Sequence, residues 1–449
     1  MIHHQIIEED DHMNSALIIG LVLMVFIFIL LGIPVYISLG LSGFFSLLLL
    51  SITKNTPLAL GVMCSSVYTG VSANTLLAIP FYILAGIIMN EGGITEKLIN
   101  LALLVIGKMP ASLAQANIVA SMFFGGITGS AQADTSCIGG ILIPAMVNQG
   151  YTPEEAVGVT ASSSTCGPII PPSIMMVVFA VTVNCSIGSL FMAGAVPGIL
   201  IGLGLMVVVA IRDRKYHFPR RIESFTKEEK IKILREGLIP LGMPVIIVGG
   251  ILTGVCTPTE AGAVAVVYSL IMSIFVTKTV KVKDLWGMLL EAGAQSGAIL
   301  LIISCAKILA YSLSALQMGT IVANLFLSLT TNKYVFLLMV NILLLIMGMF
   351  MDGAAALIIL APIFQPIAAS LGISTIHLGI IMVLNLVIGA GTPPMGACLF
   401  IASKISGISV ERCAKGIAPY LVGELTVLLL VTYIPMLATF LPTILGYAV

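Results

Sequence analysis

Between Gly125 and Ser173 a chain made mostly of Leu, Ile, Val and Met gathers Thr128, Ser130, Gln132, Asp134, Thr135 and Ser136 within a few positions. Pro144, the helix-start pair Thr152-Pro153 and the double proline Pro171-Pro172 follow. Hydroxyls, amides and one carboxylate at this density suit a hard cation such as sodium, which takes oxygen ligands. A helix broken at prolines adds carbonyl oxygens at one half-helix end and amide donors at the next, fitting a cation and an anion respectively. A second cluster, Gly348 to Gly396, carries Asp352, Asn385 and Thr392 around Pro393-Pro394. The oxygen donors for a cation are therefore Thr128, Ser130 and Asp134 in the first cluster and Asp352 with Thr392 in the second. Ser162, Ser163, Ser164, Thr165 and Asn385 lead into the breaks and, with Pro171 and Pro394, are candidates for touching a substrate.

Blander readings stand beside these. Single hydroxyls in apolar helices commonly satisfy local backbone or allow close packing. A carboxylate inside a membrane is costly and reads as functional by default, so Asp134 and Asp352 weigh more, either as ion-coupling groups or as a proton relay. Glu260, after Thr257-Pro258-Thr259, reads equally as a helix cap. Lys307 and Glu424 lie in apolar stretches with their roles open.

The elements that must position these groups are membrane helices. The chain has 449 residues, 59% hydrophobic and 9% charged, with a mean hydropathy of +1.14, which defines an all-α polytopic membrane protein. Apolar runs of spanning length recur, among them Ala16–Leu31, Ser189–Ile211, Gly262–Val276, Tyr334–Met349 and Ile417–Met436. Their spacing predicts about eleven or twelve crossings plus re-entrant pieces. The segment Ile94 to Met109, with Glu96, Lys97 and Lys108 at its ends, fits an interfacial arm. Net charge is zero and the one dense basic run is Arg212 to Arg235. That argues against a nucleic-acid partner and puts this loop in the cytoplasm by the positive-inside rule. The acidic N-terminus (residues 1–15) has no basic n-region, so Ala16–Leu31 reads as a retained span. The eight cysteines are scattered without a CxxC pair and read as small packing residues.

The two clusters repeat. Asp134 and Pro144 map onto Asp352 and Pro362 at an offset of 218, while Gly150, Gly167, Pro171 and Pro172 map onto Gly372, Gly389, Pro393 and Pro394 at 222. One four-residue insertion reconciles the two offsets. The chain then divides into a first repeat (16–211), a basic linker (212–237) and a second repeat (238–449). Each repeat holds a helical hairpin entering the membrane part-way (about 129–150 and 352–372) and a broken helix (about 155–183 and 376–403). Duplicated, Gly/Pro-interrupted halves point to a transporter with its site at the repeat interface. If the halves are inverted, an odd number of crossings separates the aspartates, and Gly319–Leu329 supplies the seventh.

Taken together, GGITGSAQAD, IPAM, GYTPEEA and SSSTCGPIIPPS, with CTPTEAGAVA, FMDGAAALIILAPIFQPIA and GAGTPPMGACLF, resemble the large permease (M) subunit of tripartite ATP-independent periplasmic (TRAP) transporters, the DctM family, over about Ala16 to Leu441. The resemblance implies a sodium-driven, elevator-type carrier with inverted repeats, a scaffold and a moving domain, in the bacterial inner membrane. It would take an organic acid from a periplasmic substrate-binding (P) protein and work in lipid beside a small membrane (Q) subunit. With no four-span segment before Ala16, the small subunit is expected as a separate polypeptide. Family sodium sites carry over onto Thr128, Ser130, Asp134, Gly167 and Pro168, and onto Asp352, Gly389, Gly391, Thr392 and Pro393. The acidic extension and Cys137, Cys166 and Cys398 depart from the family pattern. The rivals are a proton-coupled or uncoupled carrier needing no binding protein, a membrane-embedded hydrolase and a structural scaffold. The hydrolase has only His377 near the second cluster and shows no Ser/His pairing or HExxH.

Overall fold

Hydroxyl and acidic caps, rather than changes in hydropathy, cut this apolar chain into helices. Thr152 accepts from Glu155 N ahead of Pro153, Ser173 from Met176 N, and Ser186 from Ser189 N, each satisfying one of the free amides at a helix start. Thr257 and Glu260 close a capping box, which is what the sequence pattern there is for. The computed structural model describes residues 20–53 (apart from 22, 26 and 30), 60–219, 225–316, 332–394 and 396–447. Among the described residues the regular structure is entirely helical, and eight helices are long and apolar enough to cross a membrane. The proposed crossing Gly319–Leu329 and the acidic extension lie outside the described residues.

In chain order α1 is Val35–Thr53, α2 Leu60–Val71, α3 Ala78–Glu91 and α4 Ile94–Ile106. The arm predicted at residues 94–109 is thus a helix, and it packs on α5 (Ser112–Thr128) and α10 (Lys227–Leu252). Long α12 (Leu285–Ala315) lies along α1, α2 and α3, while α3 also pairs with α11 (Pro258–Ile271). Small residues let these backbones close up. A Cβ on Gly43 would fall 3.0 Å from Leu309 N, and one on Gly70 2.9 Å from Ser304 Cα.

The rest of the molecule is two matching sets. The first is α5, α6 (Ala131–Asn148), α7 (Pro153–Ser163), a break, and α8 (Ile174–Val183), followed by α9 (Ile187–Tyr216). The second is α13 (Lys333–Phe350), α14 (Gly353–Ser370), α15 (Thr375–Gly391), a break, and α16 (Ala397–Ser406). Long α17 (Val410–Tyr433) and short α18 (Met436–Ile444) close the chain. Residues 129–150 hold a single helix after the turn, because the partner arm α5 precedes them; 352–372 stand in the same relation to α13. The sets interlock by exchange: α6 packs on α16, and α14 on α8.

Helix bounds correct the repeat alignment. The bounds of α6 and α14, 131–148 and 353–370, and the starts of α7 and α15, 153 and 375, are 222 apart. One offset serves throughout and no insertion is required. Asp352 therefore corresponds to Ser130, Pro366 to Pro144, and Ala356 to Asp134. The physical reason is capping: Ser130 accepts from Ala133 N and Asp352 from Ala354 N and Ala355 N, and Ser and Asp are interchangeable N-caps.

Candidate functional site

The two tips meet. At the first, Gly129 takes φ of 60°, a conformation glycine adopts without steric penalty, so α6 doubles back directly from α5. At the second, Met351 and Asp352 make the turn between α13 and α14. Behind each tip, glycines bring the first arm into backbone contact with the broken helix. A Cβ on Gly125 would lie 2.5 Å from Gly167 Cα, and one on Gly389 2.6 Å from Gly348 Cα. The contact fixes each tip against its break.

A cavity of about 530 Å³ opens between the tips. Thr128, Ser130, Gln132 and Pro168 line it from the first set and Asp352 from the second; Asn90 on α3 and Glu291 and Gln295 on α12 face them. Ile83, Ile87, Ile174, Ile299, Leu386 and Val387 complete the wall, and no Lys, Arg or His is among the described lining residues. An anion here would be held by the N-terminus of α6 and by side-chain amides, the first amides of α14 being taken by the Asp352 carboxylate. Residue chemistry alone missed Asn90, Glu291 and Gln295. The signal was present in Glu291 and Gln295, four apart on an apolar helix with Gln295 Nε2 donating to Glu291 Oε1 at 3.1 Å.

Asp134 does not line this cavity. It is fully buried in the first turn of α6. Its Oδ1 accepts from Ser121 Oγ at 3.3 Å, and its Oδ2 has no hydrogen-bond partner. Ser121 Oγ also lies 3.0 Å from Ser163 Oγ, which donates to Asn117 Oδ1 (3.3 Å), and Asn117 Nδ2 donates to Thr160 Oγ1 (2.7 Å). Ser164 Oγ donates to Thr160 O, and Thr165 bonds Ser162 O and Glu424. Hence Ser162, Ser163, Ser164 and Thr165, candidates for substrate contact, form the buried interior of the first break. Pro171 is buried as well. Asn385 is likewise internal: its Nδ2 donates to Asn341 Oδ1 at 2.7 Å and its Oδ1 has no partner. Pro394 is exposed in the second break.

The breaks gather oxygen. The position a Cβ on Gly167 would take is 3.3 Å from Ser164 O and 3.6 Å from Ser130 O; for Gly396 it is 2.6 Å from Ala390 O and 2.8 Å from Thr392 O. Carbonyls, hydroxyls and one orphaned, buried carboxylate oxygen make a donor set suited to a hard monovalent cation. Among the described residues no cluster of three or more His, Cys, Asp or Glu exists to hold a transition metal. Thr392 Oγ1 is bonded to Ile388 O at 2.7 Å, while Gly391 packs near Thr165 Cγ2. Pro171-Pro172 and Pro393-Pro394 are both cis.

A second polar cluster, which the sequence reading did not foresee, anchors the start of α7. Arg212 Nε donates to Glu155 Oε1 at 2.7 Å, and the guanidinium and Tyr420 OH each make a further bond to the same carboxylate. Close packing of α7 on α17 is set by glycines, since a Cβ on Gly158 would meet Gly416 O at 2.3 Å.

The family model of the tripartite ATP-independent periplasmic transporter DctM component matches residues 22–437. The chain is 41% identical over 409 residues to the C4-dicarboxylate TRAP transporter large permease protein DctM of Pseudomonas aeruginosa, covering 91% of this chain and 94% of that one. It is 37% identical over 414 residues to the isethionate TRAP transporter permease protein DctMQ of Oleidesulfovibrio alaskensis, covering 92% of this chain and 64% of that longer one. In fold it is similar to the YdaH transporter of Alcanivorax borkumensis, with a TM-score of 0.54 at 14% identity over 85% of this chain and 88% of that one.

Proposed function

Because the chain belongs to the DctM family of tripartite ATP-independent periplasmic transporter components, we propose that it imports an organic acid by sodium coupling, receiving it from a periplasmic substrate-binding protein. A TRAP large permease is a multi-pass inner-membrane carrier and not an enzyme. The observation that carries the coupled reading is the shared cavity: helix tips from two equivalent halves converge on it, with oxygen-rich breaks behind each tip. A cavity without a lining cation gains from sodium ions that offset both the acid substrate and the carboxylates of Asp134 and Asp352.

In this reading sodium is a transported ligand. Thr128, Ser130, Asp134, Gly167 and Pro168 frame one site, and Asp352, Gly389, Gly391, Thr392 and Pro393 the other. The acid is held in the cavity by the N-terminus of α6 and by Asn90, Gln132 and Gln295. The paired arms act as re-entrant hairpins in inverted repeats. With the broken helices they move as one block against α1, α2, α3, α11 and α12, an elevator motion. A small membrane subunit completes the complex, in keeping with the joined M and Q of the isethionate relative's name.

The test is uptake into proteoliposomes holding this chain, its small subunit and its binding protein, with and without an inward sodium gradient. Uptake is expected to need both the gradient and the binding protein, and to fall by about tenfold or more in Asp134→Asn and Asp352→Asn, the scale of a coupling free energy of 1–3 kcal/mol. Undiminished uptake without sodium, or in both folded variants, would overturn sodium coupling. Uptake that persists without the binding protein would overturn delivery.

A further inference from the structure

Glu424 lies outside the site just described. It sits within apolar α17, fully buried. Its Oε1 is 2.7 Å from Thr165 Oγ1, and its Oε2 has no partner. Thr165 belongs to the first break, and the same Oγ1 is 2.7 Å from the carbonyl oxygen of Ser162. A threonine hydroxyl owns one hydrogen, and a carbonyl oxygen owns none. One hydrogen does not make two full-length bonds to acceptors in different directions. Of the three groups only the carboxyl can bring a second hydrogen. With a proton on Glu424, the carboxyl donates to Thr165 and Thr165 donates to Ser162, so both close oxygen contacts become hydrogen bonds.

The charges around Glu424 agree. The elements packed on α17 carry Glu154 and Glu155 on α7, Cys166 in the break, Arg212, Asp213, Arg214, Lys215 and Tyr216 on α9, His377 on α15, and Cys398 and Lys404 on α16; α17 itself carries Glu411, Arg412, Cys413, Lys415, Tyr420 and Tyr433, and α18 has no titratable side chain. Arg212 is held by Glu155 and Arg412 by Glu154, the ion pairs found among the described residues. His377 Nε2 is 2.9 Å from Val431 O. An ionised Glu424 would thus be a second buried negative charge against the first broken helix, to which Asp134 is linked through Ser121 and Ser163, with no cation paired to it, which an apolar interior strongly disfavours.

We propose that Glu424 is a proton-binding site of this carrier: its neutral carboxyl ties α17 to the first break through Thr165, and loss of the proton releases that tie. On release the carboxyl O–H bond breaks and the proton leaves for water. Thr165 is then left with one hydrogen for two acceptors, so the break must rearrange. The inference rests on the carrier reading only where uptake is the readout.

Glu424→Gln keeps the shape and a donor toward Thr165 while removing the titration. Infrared spectroscopy of the purified full chain is expected to show, at neutral pH, a neutral-carboxyl C=O band that Glu424→Gln lacks and that gives way to carboxylate bands at higher pH. Glu424→Asp, with the carboxyl one methylene shorter, should displace the band and supplies the assignment if the glutamine variant does not fold. The native state holds a proton that the unfolded chain has lost, so wild-type thermal stability should fall as pH rises, and the Glu424→Gln variant should lack that slope. In proteoliposomes wild-type uptake should drop with rising pH, by up to about tenfold per unit past the titration. The glutamine variant should stay within about twofold of the wild type's low-pH rate and respond flatly to pH. Absence of the band, or a folded but inactive glutamine variant beside a pH-independent wild type, would overturn the proposal. A band without uptake under any condition would leave the proton site standing and overturn the carrier reading instead.

Discussion

The two halves share a backbone and differ in charge. N-caps at Ser130 and Asp352, glycine contacts behind each tip, and an asparagine of the first arm bonded to the broken helix (Asn117 with Ser163, Asn341 with Asn385) recur in both. Polar function does not. Where the first half has Asp134, Glu155 and Thr165, positions 222 further on hold Ala356, His377 and Val387. The second half repeats what fixes the tips and breaks, which any side-chain chemistry needs, and does not repeat the charges, so the halves are two versions of one frame rather than two copies of one site.

The largest test of that contrast is at Glu155 and His377, which occupy equivalent positions near the starts of α7 and α15. Arg212→Ala strips the buried carboxylate of its cation and should cost about 3 kcal/mol of stability, the cost of orphaning one member of a buried pair. His377→Leu removes one neutral bond to Val431 O and should cost about 1 kcal/mol. Thermal unfolding of the two variants compares them directly. Equal losses would mean that the charge asymmetry carries no energetic weight.

Next come the glycines behind each tip. Gly125→Ala would place a Cβ 2.5 Å from Gly167 Cα, and Gly348→Ala one 2.9 Å from Leu386 O and 3.0 Å from Gly389 Cα. Both are backbone collisions, so each should cost about 1–3 kcal/mol, the first more than the second, with uptake lost in both. Loss in only one half would show that the other tip tolerates separation from its break.

Much of the frame was legible in the sequence because Gly, Pro and cap residues act locally. Pro171-Pro172 and Pro393-Pro394 marked both breaks, and Gly150 and Gly372 marked the helix ends. The pairing of Asp134 with Asp352 misled because matching by residue type ignores role. An aspartate in a helix's first turn and one at its N-cap are chemically alike and geometrically distinct, and Pro362 lies four residues from the true counterpart of Pro144, Pro366. The cavity wall opposite the tips was harder to place for another reason, even with Glu291 and Gln295 standing out as a polar pair on an apolar helix. Asn90, Glu291 and Gln295 come from α3 and α12, and no local pattern says which face of a long apolar helix meets a site formed elsewhere in the chain.

The smallest stability effect, and the sharpest question, belongs to the tips. Since Ser and Asp both cap, Asp352→Ser should change stability by less than about 0.5 kcal/mol, whereas Asp352→Ala should lose about 1 kcal/mol. Any transport defect of Asp352→Ser then reports the charge and not the fold. Ser130 and Asp352 face the same cavity, so the charge can be moved between halves without moving a helix. If one carboxylate at either tip suffices, Asp352→Ser should lower sodium-dependent uptake by about fivefold or more, and adding Ser130→Asp should restore most of it. If uptake stays low in the double variant, the second tip needs its own carboxylate beside the carbonyls of Ala390 and Thr392. The halves would then have diverged in ligand as well as in charge.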